Sequence, residues 1–147
     1  MSADANWLIC REVCIADRAQ LHLALPVSAA ASLDTLHAQL FDRARQRLPR
    51  SWPASWKATA TSGKDNFVLS VQVGKPLRQA EFFPLEFSQI ENGAPQPLKV
   101  TARGAKITLR KSDQLLKPIS KLKGILVISS GRAYEIVAPI SPAASIK

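Results

Sequence analysis

Apolar and polar residues alternate along much of the chain, and this period of two predicts short β-strands. The clearest case is the segment 67–73, in which every second residue is a large apolar one. A strand with one buried face and one solvent-facing face produces this pattern. Further strands are predicted at 5–10, 14–25, 56–61, 80–84, 107–109, 124–128 and 133–137. The tail after Pro139 is expected to be frayed.

A different period separates the first two predicted strands from the rest. Apolar residues recur there every three or four positions, which indicates one amphipathic helix over residues 32–50. Ser32 is a suitable N-cap, and Pro49 ends the pattern. The apolar side of this helix, which includes Leu36, Leu40 and Ala44, is expected to pack against a β-surface.

The predicted fold is therefore mainly β, an immunoglobulin-like β-sandwich with one connecting amphipathic helix. A length of 147 residues allows one ordinary domain, or one small domain with part of another. The expected organisation is a pair of strands over 1–31, a linking helix over 32–50, and the sandwich over 51–147.

The chain is basic, with 20 Lys and Arg residues against 11 Asp and Glu residues. This balance favours acidic partners, nucleic acid or an anionic membrane surface. The cations are spread along the sequence and are not interleaved with aromatic residues, so nucleic acid is not expected as a partner. No nucleotide-binding motif or catalytic Ser/His/Asp motif is present.

The sequence contains neither a leader pattern nor a membrane span. Residues 1–6 lack a basic segment followed by an apolar one, and no apolar run approaches the ~20 residues that span a bilayer. Read literally, this predicts a cytoplasmic protein.

The candidate chemistry lies at Cys10 and Cys14, the only cysteines. Three interpretations of the spacing remain open: a free or structural pair, a redox pair, and a metal site to which His22 or His37 contributes. If the two cysteines bond, the chain must turn between them, because four extended steps span roughly 13 Å. Arg11 would favour a neighbouring thiolate, and Glu12 would oppose it.

The sequence around the cysteines resembles the periplasmic N-terminal region of DsbD/ScsB-like thiol:disulfide interchange proteins. In the first part, residues 6–15 (NWLICREVCI) and 21–26 (LHLALP) are similar to the end of the redox domain of that family. In the second part, the resemblance extends to a second β-domain through residues 80–84 (AEFFP), 112–114 (SDQ), 122–127 (LKGILV) and 131–136 (GRAYEI).

The resemblance implies a function in thiol–disulfide exchange. Cys10 and Cys14 would cycle between dithiol and disulfide, with Cys14 attacking the partner and Cys10 resolving the mixed disulfide. Arg11 and Glu12 would modulate the thiolate. The expected partners are thioredoxin-like domains and oxidised periplasmic proteins, and no cofactor or metal is expected.

The resemblance also implies a location. The chain would be a piece of a longer exported protein that is embedded in the inner membrane, with this part in the periplasm. Whether this piece is an active reductase by itself is left open. The cysteine spacing is shorter than in the best-known members, and the family's protective loop would lie upstream. Two alternatives are a non-catalytic β-sandwich interaction module and a copper-binding periplasmic domain, since the ScsB-like branch is associated with copper tolerance.

Overall fold

The predicted strands are present in the structure, a computed structural model that describes residues 1–10, 13–25, 27, 35–129 and 131–142. These residues form ten strands and one helix, α1 (Thr35–Arg47), so the prediction of a mainly β fold with a single helix is confirmed. The strands are β1 (Ser2–Cys10), β2 (Cys14–His22), β3 (Arg50–Ser51), β4 (Lys57–Ser62), β5 (Asn66–Gln72), β6 (Ala80–Pro84), β7 (Leu98–Thr101), β8 (Gly104–Arg110), β9 (Lys121–Ile128) and β10 (Arg132–Pro142).

The chain divides into two compact units, Met1–Gln39 and Leu40–Lys147. The first unit contains the antiparallel pair of β1 and β2, and the second contains β3 to β10. The finer division into 1–31, 32–50 and 51–147 stays a prediction, and its proposed helix cap at Ser32 lies outside the described residues.

The second unit is a β-sandwich of two curled sheets that share β10. One sheet has the order β6–β9–β10, with the short β3 also paired to β10. The other sheet has the order β10–β4–β5–β8–β7. The first eight residues of β10 pair antiparallel with β9, and its last three pair parallel with β4. One long strand therefore connects the two layers.

The core of the sandwich is formed by alternate residues of both sheets. In β5 the buried positions are Phe67, Leu69 and Val71, as the period of two predicts. Burying each such side chain contributes about 1.5–3 kcal/mol, which makes these strands the main source of stability. The core also includes Ala60, Phe82, Ala105, Ile107, Leu109, Leu122, Leu126, Ile128, Tyr134, Ile136 and Ala138.

Gly124 allows β9 to approach β6 closely. A Cβ atom at this position would lie 2.3 Å from the Phe82 ring and 2.4 Å from the Phe83 carbonyl oxygen. A side chain would therefore displace a fully buried aromatic ring, so the glycine is required by packing.

The prediction of a frayed tail after Pro139 is wrong for residues 140–142. These residues pair in parallel with Ala60–Ser62, and the Ile140 amide donates to the Ser120 carbonyl at 2.8 Å. Local composition indicated a loose end, but the edge of β4 supplies long-range backbone partners.

The expectation that the helix buries its apolar side is also wrong where the structure describes it. Leu40 and Phe41 are each 59% exposed, and Ala44 is exposed as well. The strands and the segments that connect them, which contribute Val73, Leu77 and Ile90, form the sandwich core, and no residue of that core comes from α1. The side chain of Leu36 lies outside the described part.

Candidate functional site

Cys10 and Cys14 form a disulfide at the end of the β1–β2 hairpin. The S–S distance is 2.01 Å and the two Cα atoms are 4.1 Å apart. The cysteines are direct partners in the antiparallel register, in which Ile9 pairs with Ile15 and Leu8 pairs with Ala16. The chain thus reverses direction between them, as a bond between these positions requires.

The register places the two sides of the hairpin in different chemical environments. Neighbouring residues of a strand point to opposite faces, so the pairing assigns every side chain to one face. The first, which we call the apolar face, carries Ala3, Ala5, Trp7, Ile9, Ile15, Asp17, Ala19 and Leu21. The second, the disulfide face, carries Ser2, Asp4, Asn6, Leu8, Cys10, Cys14, Ala16, Arg18, Gln20 and His22.

The disulfide is accessible from its own side of the hairpin. Cys10 and Cys14 are both exposed, and so are the neighbouring residues Ile9, Val13 and Ile15. If the apolar face were covered, the disulfide face would still be accessible to solvent, because the two faces point in opposite directions. A thiolate from another molecule can therefore reach the sulfur atoms.

Leu8 and Ala16 form the only residue pair between the disulfide and the polar end of the disulfide face. Leu8 is 65% exposed and lies one register step inside the disulfide on the same side. The sequence reasoning did not single out either residue. In a hairpin that turns between the two cysteines, the residues two positions before Cys10 and two positions after Cys14 lie beside the disulfide on the same face, so the hairpin prediction alone would identify this pair.

The predicted modulating residues Arg11 and Glu12 lie outside the described residues. Their opposite effects on the thiolate stay predictions. Arg18 is the basic residue that the structure places on the disulfide face, four positions beyond Cys14.

His22 is not brought to the sulfur atoms. His22 is paired with Ser2 at the other end of the hairpin, where Ser2 Oγ lies 3.1 Å from His22 Nδ1. His37 is in α1. Among the residues that the structure describes, no group of three or more His, Cys, Asp or Glu side chains is arranged to hold a metal ion.

Comparisons of the chain with protein-family models, with curated proteins and with solved structures found no match. The resemblance to DsbD/ScsB-like proteins therefore stays a prediction from the quoted residues. Within the described part of the chain, no helix has the length and apolar character needed to cross a membrane.

Proposed function

We propose that the Cys10–Cys14 pair performs thiol–disulfide exchange with a protein partner. The observation that carries the proposal is an exposed disulfide on one face of a two-stranded hairpin whose other face is apolar. The bond closes a ring of very few residues, so it removes less loop entropy from the unfolded chain than a long-range bond. A role in thiol–disulfide exchange therefore explains this bond better than the stabilisation of so short a ring.

The reaction follows the ordinary course of exchange. In the reduced pair, the Cys14 thiolate attacks one sulfur of a partner disulfide and releases the other partner sulfur as a thiolate, giving a mixed disulfide. Cys10, after losing its proton, attacks Cys14 Sγ, which restores the Cys10–Cys14 bond and breaks the bond between Cys14 and the partner, so that the second partner sulfur leaves as a thiolate. The two partner thiolates take up protons from solvent, which has received those of Cys10 and Cys14, and two electrons have passed from this chain to the partner.

The resemblance supports a setting for this chemistry. In DsbD/ScsB-like proteins it would be the periplasm, with thioredoxin-like domains and oxidised periplasmic proteins as partners. An oxidising compartment also supplies partner proteins that carry disulfides, and a new cycle begins when an electron donor, which in the family is the membrane-embedded part of the protein, reduces the Cys10–Cys14 bond. The assignment of Cys14 as the attacking thiol rests on its position in the family.

Trapping of the mixed disulfide tests the proposal. We expect Cys10→Ser, which keeps Cys14, to accumulate a covalent complex with an oxidised thioredoxin-like protein on non-reducing gels. The matched variant Cys14→Ser should trap much less, and a dithiol reductant should release the complex. Equal trapping by both variants would contradict the roles of the two cysteines, and no trapping by either would contradict exchange itself.

A further inference from the structure

The sandwich unit holds most of the positive charge of the chain. The unit Leu40–Lys147 contains 18 of the 20 Lys and Arg residues but 7 of the 11 Asp and Glu residues. The unit Met1–Gln39 has two basic and four acidic residues. The net positive charge is therefore carried by the sandwich unit and not by the unit that contains the hairpin.

The register gathers part of this charge on the outer side of β4, β5, β8 and β7. Lys106 lies directly opposite Lys99 and also opposite Ser70, and Ser70 lies opposite Thr59. Lys57 is on the same side, one register step away. We call this side the cationic face; it carries Lys57, Thr59, Thr61, Val68, Ser70, Gln72, Lys99, Thr101, Lys106, Thr108 and Arg110.

The cationic face lacks compensating carboxylates. None of its strand positions is Asp or Glu, and its four cations make no ion pair within the described residues. Asp65 and Asp113 line a cleft together with Arg110 at one corner of the face. Lys57, Lys99 and Lys106 are exposed and lie away from that corner.

Lys99 and Lys106 are placed at a cost to stability. Like charges directly opposite each other on neighbouring strands are destabilising. A lysine on the edge strand β7 is expected, because it discourages pairing with another chain. Protection of the edge needs only Lys99. Lys106 lies on β8, which is not an edge strand, so an anionic ligand explains it better.

The chemistry of the face selects among anionic partners. It has no aromatic side chain, so it offers no platform for stacking nucleic-acid bases. It has no large exposed apolar side chain to insert into a bilayer. It does offer hydroxyl groups between the cations, and these donate hydrogen bonds to carboxylates. Charge without an apolar centre is typical of weak, fast, electrostatically steered protein encounters.

We infer that the cationic face is a docking surface for an acidic protein, in a weak complex that forms rapidly. The inference does not depend on the chemistry of Cys10 and Cys14, because the face belongs to the other unit. Complex formation should weaken strongly with added salt, since the charges are solvent-exposed.

A short poly-glutamate peptide is a suitable probe for the full chain. We expect NMR shift changes on peptide addition to concentrate at Lys57, Ser70 and Lys106, with the outer side of β6, β9 and β10 unaffected. Lys99→Gln/Lys106→Gln should weaken peptide binding roughly five- to tenfold at low salt. The matched control Lys75→Gln/Lys117→Gln, which removes two exposed cations elsewhere, should change it less than about twofold.

Three results would overturn the inference. They are absence of peptide binding, equal losses in the two double variants, and tighter binding of a short DNA duplex or of phosphatidylserine vesicles to the same face at equal ionic strength. The last result would assign the face to a phosphate-bearing partner. Lys106→Gln alone provides a second variant if the double variant has a lowered melting temperature.

Discussion

The hairpin and the sandwich are both built of β-strands, but they are stabilised in different ways. In the sandwich, Leu69, Ile107 and Leu126 are each completely buried between two sheets. In the hairpin, no described residue from 1 to 25 is buried, and Trp7, the least exposed of its large apolar side chains, is still 39% exposed.

This difference shows what the disulfide contributes. An isolated two-stranded hairpin is marginally stable in water, since it has no second layer to cover its apolar face. The Cys10–Cys14 bond fixes the register of such a hairpin at one end. A bond that holds a marginal element can be opened without unfolding a separate core, which is a useful property for an exchange site.

The largest expected effect comes from the core of the sandwich. Leu126→Ala removes a fully buried side chain at the centre of β9 and should lower the free energy of unfolding by about 2–5 kcal/mol, because a cavity remains. Chemical denaturation monitored by circular dichroism measures this loss.

Leu116→Ala is the matched control for that substitution. Leu116 is 89% exposed in the loop before β9, so its truncation should change the free energy of unfolding by less than about 0.5 kcal/mol. Similar losses in the two variants would mean that the core is not where the structure places it.

Reduction of the disulfide should affect the hairpin and leave the sandwich intact. Breaking so short a ring removes roughly 2 kcal/mol from the closed hairpin, which is enough to open a marginal element. Hydrogen exchange followed by mass spectrometry should show faster deuterium uptake in residues 1–25 after reduction and unchanged uptake in residues 121–138. Cys10→Ser/Cys14→Ser should give the same pattern without reductant. Loss of protection in both units would show that their stabilities are coupled.

The smallest effect concerns the paired lysines of the cationic face. Lys99→Gln removes a like-charge contact with Lys106 and should raise the free energy of unfolding by about 0.2–1 kcal/mol at low salt. The gain should shrink as salt is added. Lys75→Gln, on an exposed loop cation, should give no gain, and an equal gain there would assign the effect to net charge.

The fold could be predicted from the sequence wherever one face of a strand is buried. The alternation of apolar and polar residues at Phe67, Leu69 and Val71 predicts β5. Local composition alone predicts β6 at residues 80–84, where the structure has it. The end of β10 and the exposure of Leu40 could not be predicted, because they depend on which distant edges and surfaces are available. The cationic face was missed for the same reason: Lys57, Lys99 and Lys106 are far apart in sequence and meet only through strand order.

The candidate site was predictable in part. The turn between Cys10 and Cys14 follows from the distance that a disulfide can span, and the apolar flanks favoured a hairpin. The division into an apolar face and a disulfide face could not be predicted without the register. A shift of one residue would exchange the faces, and spacing alone does not fix it.

The redox equilibrium of Cys10 and Cys14 in glutathione buffers tests the central claim most directly. The full chain is equilibrated at a series of glutathione ratios, free thiols are alkylated, and the oxidised and reduced forms are counted by mass spectrometry. An exchange disulfide should titrate reversibly within the range of known exchange proteins, about −120 to −270 mV. A pair that stays oxidised throughout, as structural disulfides do below about −300 mV, or one that never oxidises, would contradict the account.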